Sequence, residues 1–152
     1  MILNRLILSA FGLGFLLKMP GTWGSLGGLL VVFLVPKVFL LLLFPSLMIV
    51  GTILIHRMVL TNSLENDDPS WIVLDEVVGQ IIPFLFFEAT LQNLILGFLL
   101  FRFFDILKPW PISKIESIFA QKPKTWALGI MLDDVVAGLF ATLVMIIFYY
   151  FY

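Results

Sequence analysis

The sequence predicts an all-α, polytopic membrane protein of helical hairpins, with about four to five membrane helices plus amphipathic or interfacial helices, forming a single domain over residues 1–152. Two observations carry this. The chain is 61% hydrophobic and only 12% charged, whereas soluble domains are typically about 45–50% apolar and about 25% charged. Its apolar runs are broken by prolines and short polar stretches, in the rhythm of helices that cross or enter a bilayer and turn back.

Residues 1–17 are apolar with Arg5 near the start, and Lys18-Met19-Pro20 follows where a small-x-small cleavage site would stand in a signal peptide. A retained segment along the membrane, interrupted at Phe11-Gly12-Leu13-Gly14, is the expectation. Pro20-Gly21-Thr22-Trp23-Gly24-Ser25 reads as a turn, with Thr22 or Ser25 capping the next helix. That helix stops at Pro36-Lys37. A dozen residues rise about 18 Å, less than the roughly 30 Å hydrocarbon core, so it is short, tilted or shielded. Residues 38–55 are long enough to span, with Pro45 as a kink point.

Residues 56–70 are polar, with His56, Arg57, Glu65, Asp67 and Asp68, and read as a helix end and a solvated loop. A helix from Asp75 to about Phe87, a polar turn over residues 88–93 and a helix over residues 94–107 make a second hairpin. Residues 112–127 are amphipathic, with Lys114, Glu116, Lys122 and Lys124 as interfacial anchors. The last helix is expected to start at Asp133-Asp134 and to end in Phe148-Tyr149-Tyr150-Phe151-Tyr152, an aromatic cluster suited to a membrane interface.

Hairpins return to the face they left. Nine of the ten acids, all but Glu88, and every cation but Lys37 then gather at one face. The cation bias makes that face cytoplasmic.

Composition also excludes chemistry. Net charge is −1, so no global basic field attracts nucleic acid. Without cysteine there is no disulfide or thiolate ligand, and with one histidine there is no His-rich zinc site. A metal here would take oxygen ligands, hence magnesium, manganese or calcium.

The chemistry-bearing residues sit at the apolar boundary. Leu74-Asp75-Glu76-Val77-Val78-Gly79 is nearly repeated as Leu132-Asp133-Asp134-Val135-Val136-Ala137. With Asp105 these make five carboxylates that would repel one another without a divalent cation. Arg102, i,i+3 from Asp105, and Lys108 suit phosphate oxygens. Thr22, Ser25 and the amides of their turn suit an anion at a helix N-terminus. Metal, cations and membrane face together point to phosphoryl transfer on a lipid headgroup, with one carboxylate as general base. Acids at helix starts also serve as caps, and Gly79 and Gly138 suit close helix packing. The repetition of the pair is what favours a site.

Four motifs, in order, resemble the phosphatidylglycerophosphatase A family: Pro20-Gly21-Thr22-Trp23-Gly24-Ser25-Leu26; Asp75-Glu76-Val77-Val78-Gly79; Phe101-Arg102-Phe103-Phe104-Asp105-Ile106-Leu107-Lys108-Pro109-Trp110-Pro111; and Asp133-Asp134-Val135-Val136-Ala137-Gly138. The resemblance covers nearly the whole chain. It implies a bacterial inner-membrane, multi-pass, Mg2+-dependent phosphatase that converts phosphatidylglycerophosphate to phosphatidylglycerol, with membrane lipids as its surroundings. It also implies acidic site positions at Asp75, Glu76, Asp105, Asp133 and Asp134, and basic ones at Arg102 and Lys108. Of the acids, Asp75, Glu76, Asp133 and Asp134 are the expected metal ligands, above all Asp75 and Asp133, the first of each pair. Three other readings compete. A cation transporter would spread its acids through membrane depth. A CDP-alcohol phosphotransferase would carry a long spaced Asp-Gly/Ala-Arg motif, which is absent here. A capped-helix scaffold would do no chemistry.

Overall fold

The computed structural model describes residues 2–16, 18–61, 69–120 and 123–151. Glu65, Asp67 and Asp68, read above as a solvated loop, lie outside the described residues, as does Lys122.

Seven α-helices and one 3-10 turn account for the described secondary structure, and no strand is present among the described residues. Helix α1 (Ile2–Leu8) is short and is followed by the 3-10 turn Leu13–Phe15. Between them Ala10, Phe11 and Gly12 all take positive φ. This confirms the interruption expected at the glycines. The segment is tied down where the Val73 amide donates to the Leu8 carbonyl at 3.0 Å.

Helix α2 (Pro20–Leu34) starts directly at Pro20. Proline suits the first helical position, because its missing N–H has no partner to lose there. Thr22 and Ser25 are therefore inside the helix and not at its cap, which is Met19. The Thr22 amide already donates to the Met19 carbonyl, and the Ser25 hydroxyl donates to the Gly21 carbonyl. The anion-binding turn expected at Gly21–Ser25 is thus the first turn of a continuous helix.

Helix α3 (Lys37–Leu60) follows Pro36 and continues through Pro45. Helices α4 (Leu74–Phe86) and α5 (Leu91–Leu107) form the second hairpin. The Thr90 side chain caps α5 by accepting from the Asn93 amide. Lys108, in the left-handed region, closes α5 just before Pro109. Helix α6 (Ile112–Ala120) is short and amphipathic. Helix α7 (Pro123–Phe151) is the longest. The single amphipathic segment expected over residues 112–127 is thus divided between α6 and α7.

Two helices, α3 and the described stretch Thr125–Phe151 of α7, are long and apolar enough to cross a membrane. That is fewer than the four or five expected, because α2, α4 and α5 have 15, 13 and 17 residues. α3 exposes Val38, Phe39, Leu41, Leu42, Ile49 and Ile53. A soluble fold would not leave such a stripe uncovered, so lipid is its natural solvent and the chain is a membrane protein.

Helix α4 is the buried centre, with α2, α3 and α7 packed around it. Its crossing with α7 uses the two small residues that the repeated motif carries. A Cβ at Gly79 would lie 2.6 Å from the Asp134 carbonyl oxygen, and one at Gly138 would collide with the Gly79 carbonyl. Backbone meets backbone here, about one turn beyond each acid pair. At the other end of the bundle, Lys37 pairs with Glu88 at 3.2 Å and the Tyr149 hydroxyl hydrogen-bonds Asn93. The lone cation and lone acid set apart in the sequence thus meet away from the acidic face.

Candidate active site

The close crossing of α4 and α7 brings the two acid pairs together. Carboxylate oxygens of Asp75, Glu76 and Asp134 lie within 4.8 Å of one another. The two motifs also share a local conformation. The Glu76 amide donates to Asp75 Oδ1 at 3.1 Å, and the Asp134 amide donates to Asp133 Oδ1 at 3.0 Å. Asp105, from α5, Asp75 and Asp133 are all charged neighbours of Asp134. Asp75, Asp133 and Asp134 are all buried.

Asp133 and Asp134 are ten residues inside α7, about 15 Å along its axis. They do not start the helix. The capping reading therefore fails for them, while Asp75 and Glu76 do lie in the first turn of α4. Buried acids within a helix gain little from its dipole and need another reason to be there.

Two cations edge the carboxylates. Lys108 Nζ contacts Asp133 Oδ2 at 2.7 Å. The left-handed turn at Lys108 ends α5 beside α7 and lets the side chain reach across. Arg102 is ion-paired with Asp105 on the same face of α5, and its Nη1 also reaches the Ser25 hydroxyl at 3.4 Å. Ser25, fully buried, thus joins the site through its side chain and not through a helix cap. Thr22 is half-buried beside Gly21. His56 lies elsewhere, bordering a crevice with Thr125 and Leu128.

Gly21 is the site residue that sequence reasoning undervalued. A Cβ there would collide with Glu76 Oε1 and lie 3.0 Å from Arg102 Nη1. Helix α2 thus caps the carboxylates with bare backbone. Gln80, wholly buried one turn below Glu76, was also missed. Its signal was present: it is the lone amide in the apolar run from Val77 to Phe87.

The donor set suits a hard divalent cation. Three carboxylates converge, five acids face two cations, and Glu76 Oε2 is buried without a hydrogen-bond partner. All-oxygen sites of this kind hold Mg2+, Mn2+ or Ca2+.

Fold and site together define a helical membrane protein with a buried carboxylate cluster edged by two cations. The family model of phosphatidylglycerophosphatase A matches residues 6–149. A phosphatidylglycerophosphatase A of Haemophilus influenzae is 37% identical, covering 92% of this chain and 85% of the relative. One of Escherichia coli is 32% identical, covering 88% and 76%. A putative phosphatidylinositol-3-phosphatase of Bacteroides thetaiotaomicron is 36% identical, covering 90% and 87%. No solved structure matches the chain. The chain belongs to the phosphatidylglycerophosphatase A family and is a phosphoric monoester hydrolase.

Proposed function

We propose that this protein removes the terminal phosphate of phosphatidylglycerophosphate, yielding phosphatidylglycerol and inorganic phosphate, in a Mg2+-dependent reaction at the cytoplasmic face of the bacterial inner membrane. The family supports the substrate. The observation that carries the chemistry is the trio Asp75, Glu76 and Asp134 within 4.8 Å, flanked by Arg102 and Lys108. Asp75, Glu76 and Asp134 would hold the cation. Asp133, the fourth expected ligand, keeps Lys108 at the edge of the site. A bound divalent cation would neutralise phosphate charge and lower the pKa of a water.

The chain's own residues supply the rest. Arg102 and Lys108 bind the non-bridging phosphate oxygens, and Asp105 and Asp133 hold those cations in position. A carboxylate of the buried group takes a proton from the attacking water. The water oxygen bonds to phosphorus as the bond to the glycerol oxygen breaks. That oxygen leaves with the proton that the carboxylate took from the water, and the diacyl lipid stays in the membrane. The membrane-facing surface of α3 and the cations at the acidic end support a multi-pass protein with that end in the cytoplasm.

The test is direct. Purified protein in detergent is given phosphatidylglycerophosphate with Mg2+ or with a chelator, and inorganic phosphate is measured. Release that the chelator stops is expected. No release, or release indifferent to the chelator, would overturn the reading. The transporter alternative fits less well, because Asp75, Glu76, Asp105, Asp133 and Asp134 meet in one cluster and are not strung along a path.

A further inference from the structure

Among the described residues, the fully buried side-chain polar atoms without a hydrogen-bond partner are Glu76 Oε2, Arg102 Nε and both amide atoms of Gln80. The first two belong to the candidate site. Gln80 lies four residues beyond Glu76 on α4, so the two share a face. It is about 6 Å farther from the acidic end. Helical side chains lean toward the helix N-terminus, so the Gln80 amide leans back toward Glu76.

Helix α2 covers this stripe with backbone. A Cβ at Gly24 would lie 3.2 Å from the Glu76 Cβ, and one at Gly28 would lie 2.8 Å from the Gln80 Cβ. The buried neighbours Val77, Ile81 and Phe84 on α4 are apolar. A buried amide in such a wall is costly unless something completes it. Its Oε1 needs a donor and its Nε2 needs an acceptor. One hydroxyl group supplies both.

We propose that Gln80 reads an alcohol in the lipid headgroup, the hydroxyl on the spacer between the terminal phosphate and the phosphodiester. This rests on the phosphatase reading above. The order of groups along such a lipid matches the order of depth in the protein. The terminal phosphate meets the carboxylates and cations, the spacer comes next, and the acyl chains run into the membrane. Gln80, one helical turn beyond Glu76, is the next polar residue along α4 and so the nearest candidate to meet the spacer. It positions the substrate and favours a hydroxylated spacer over a phosphate attached directly to diacylglycerol. An ordered water would offer the same hydroxyl chemistry, and the experiment separates the two.

Wild-type protein and Gln80→Met are compared in detergent with Mg2+ on three substrates. These are phosphatidylglycerophosphate, its analogue with a propanediol spacer lacking the hydroxyl, and phosphatidate. Wild type is expected to prefer the hydroxylated spacer by at least about tenfold in kcat/KM, since a buried amide left unpaired penalises the deoxy substrate. Gln80→Met should lose that preference, chiefly through KM, while the other two substrates change by less than about twofold. Its thermal midpoint should hold or rise, because an unpartnered amide is replaced by an apolar chain of similar size. A variant that slows all three substrates alike would assign Gln80 to a water or to packing and overturn the proposal. Equal rates of wild type on the hydroxylated and deoxy spacers would also overturn it. Wild-type protein that releases phosphate from none of the three would overturn the phosphatase reading itself.

Discussion

Lys108 Nζ lies 2.7 Å from Asp133 Oδ2, joining the left-handed end of α5 to the middle of α7. The pair fixes a cation beside Asp134 and the α4 acids. Removing either partner leaves the other partly buried and uncompensated. Asp133→Asn and Lys108→Met should each lower kcat for phosphate release by about 10²–10³-fold, while membrane insertion is retained. Initial-rate measurements on detergent-purified variants, with size-exclusion profiles as the folding control, check this. Retained activity in Asp133→Asn would sink the site assignment.

Asp75, Glu76 and Asp134 make a different prediction. Asp134→Asn should weaken divalent-cation binding by more than about tenfold, because even outer-shell partners of metal ligands are worth about 10–100-fold. Titration calorimetry with Mg2+ or Mn2+, without substrate, measures it. Equal affinity in variant and wild type would move the ion elsewhere.

Gly21 tests the role of bare backbone. A side chain there must displace Glu76 Oε1 or Arg102 Nη1. Gly21→Val should cut kcat by about 10²-fold, the cost of misplacing catalytic groups by about 1 Å. The thermal midpoint should move little, since both obstacles are ends of side chains. Gly138→Val should do the reverse in kind. Its Cβ meets the Gly79 carbonyl, which is backbone, so a loss of about 1–3 kcal/mol of stability is expected from denaturation in detergent.

The absence of cysteine makes topology directly testable. Cysteine introduced at Lys114 should react with a membrane-impermeant thiol reagent only from the cytoplasmic side. Cysteine at Glu88, which is exposed at the opposite end, should react only from the other. Labelling of both from one side would overturn the assigned orientation.

Much of the site was legible because it was written twice. The pairs Asp75-Glu76 and Asp133-Asp134 recur with a small residue three to five positions on, and that residue is what allows α4 and α7 to cross at Gly79 and Gly138. The hairpin pattern also separates Lys37 and Glu88 from the other charges, and they pair between the start of α3 and the turn joining α4 to α5. The start of α7 was not legible. Asp133-Asp134 ahead of an apolar run has the look of an N-cap, yet Trp126, Ala127, Ile130 and Met131 before it pack into the core and extend the helix back to Pro123. Tertiary burial outweighed the local capping pattern. Ser25 misled similarly: its value lies in a partner 77 residues away, Arg102. Periodicity carries no trace of such a contact.

Helix α3 holds none of the carboxylates or cations of the site, yet it exposes a long row of apolar side chains. Its 24 residues rise about 36 Å, a little more than a typical hydrocarbon core. Lys37 starts it and Arg57 lies in its last turn. Because α3 packs on α4 and α7, its vertical setting fixes how far the carboxylates stand from the plane of lipid phosphates. Turnover is then expected to vary with bilayer thickness, as phosphate release in vesicles of graded acyl-chain length would measure. In thinner bilayers α3 must tilt, and the acidic centre tilts with it, away from the headgroups it has to meet.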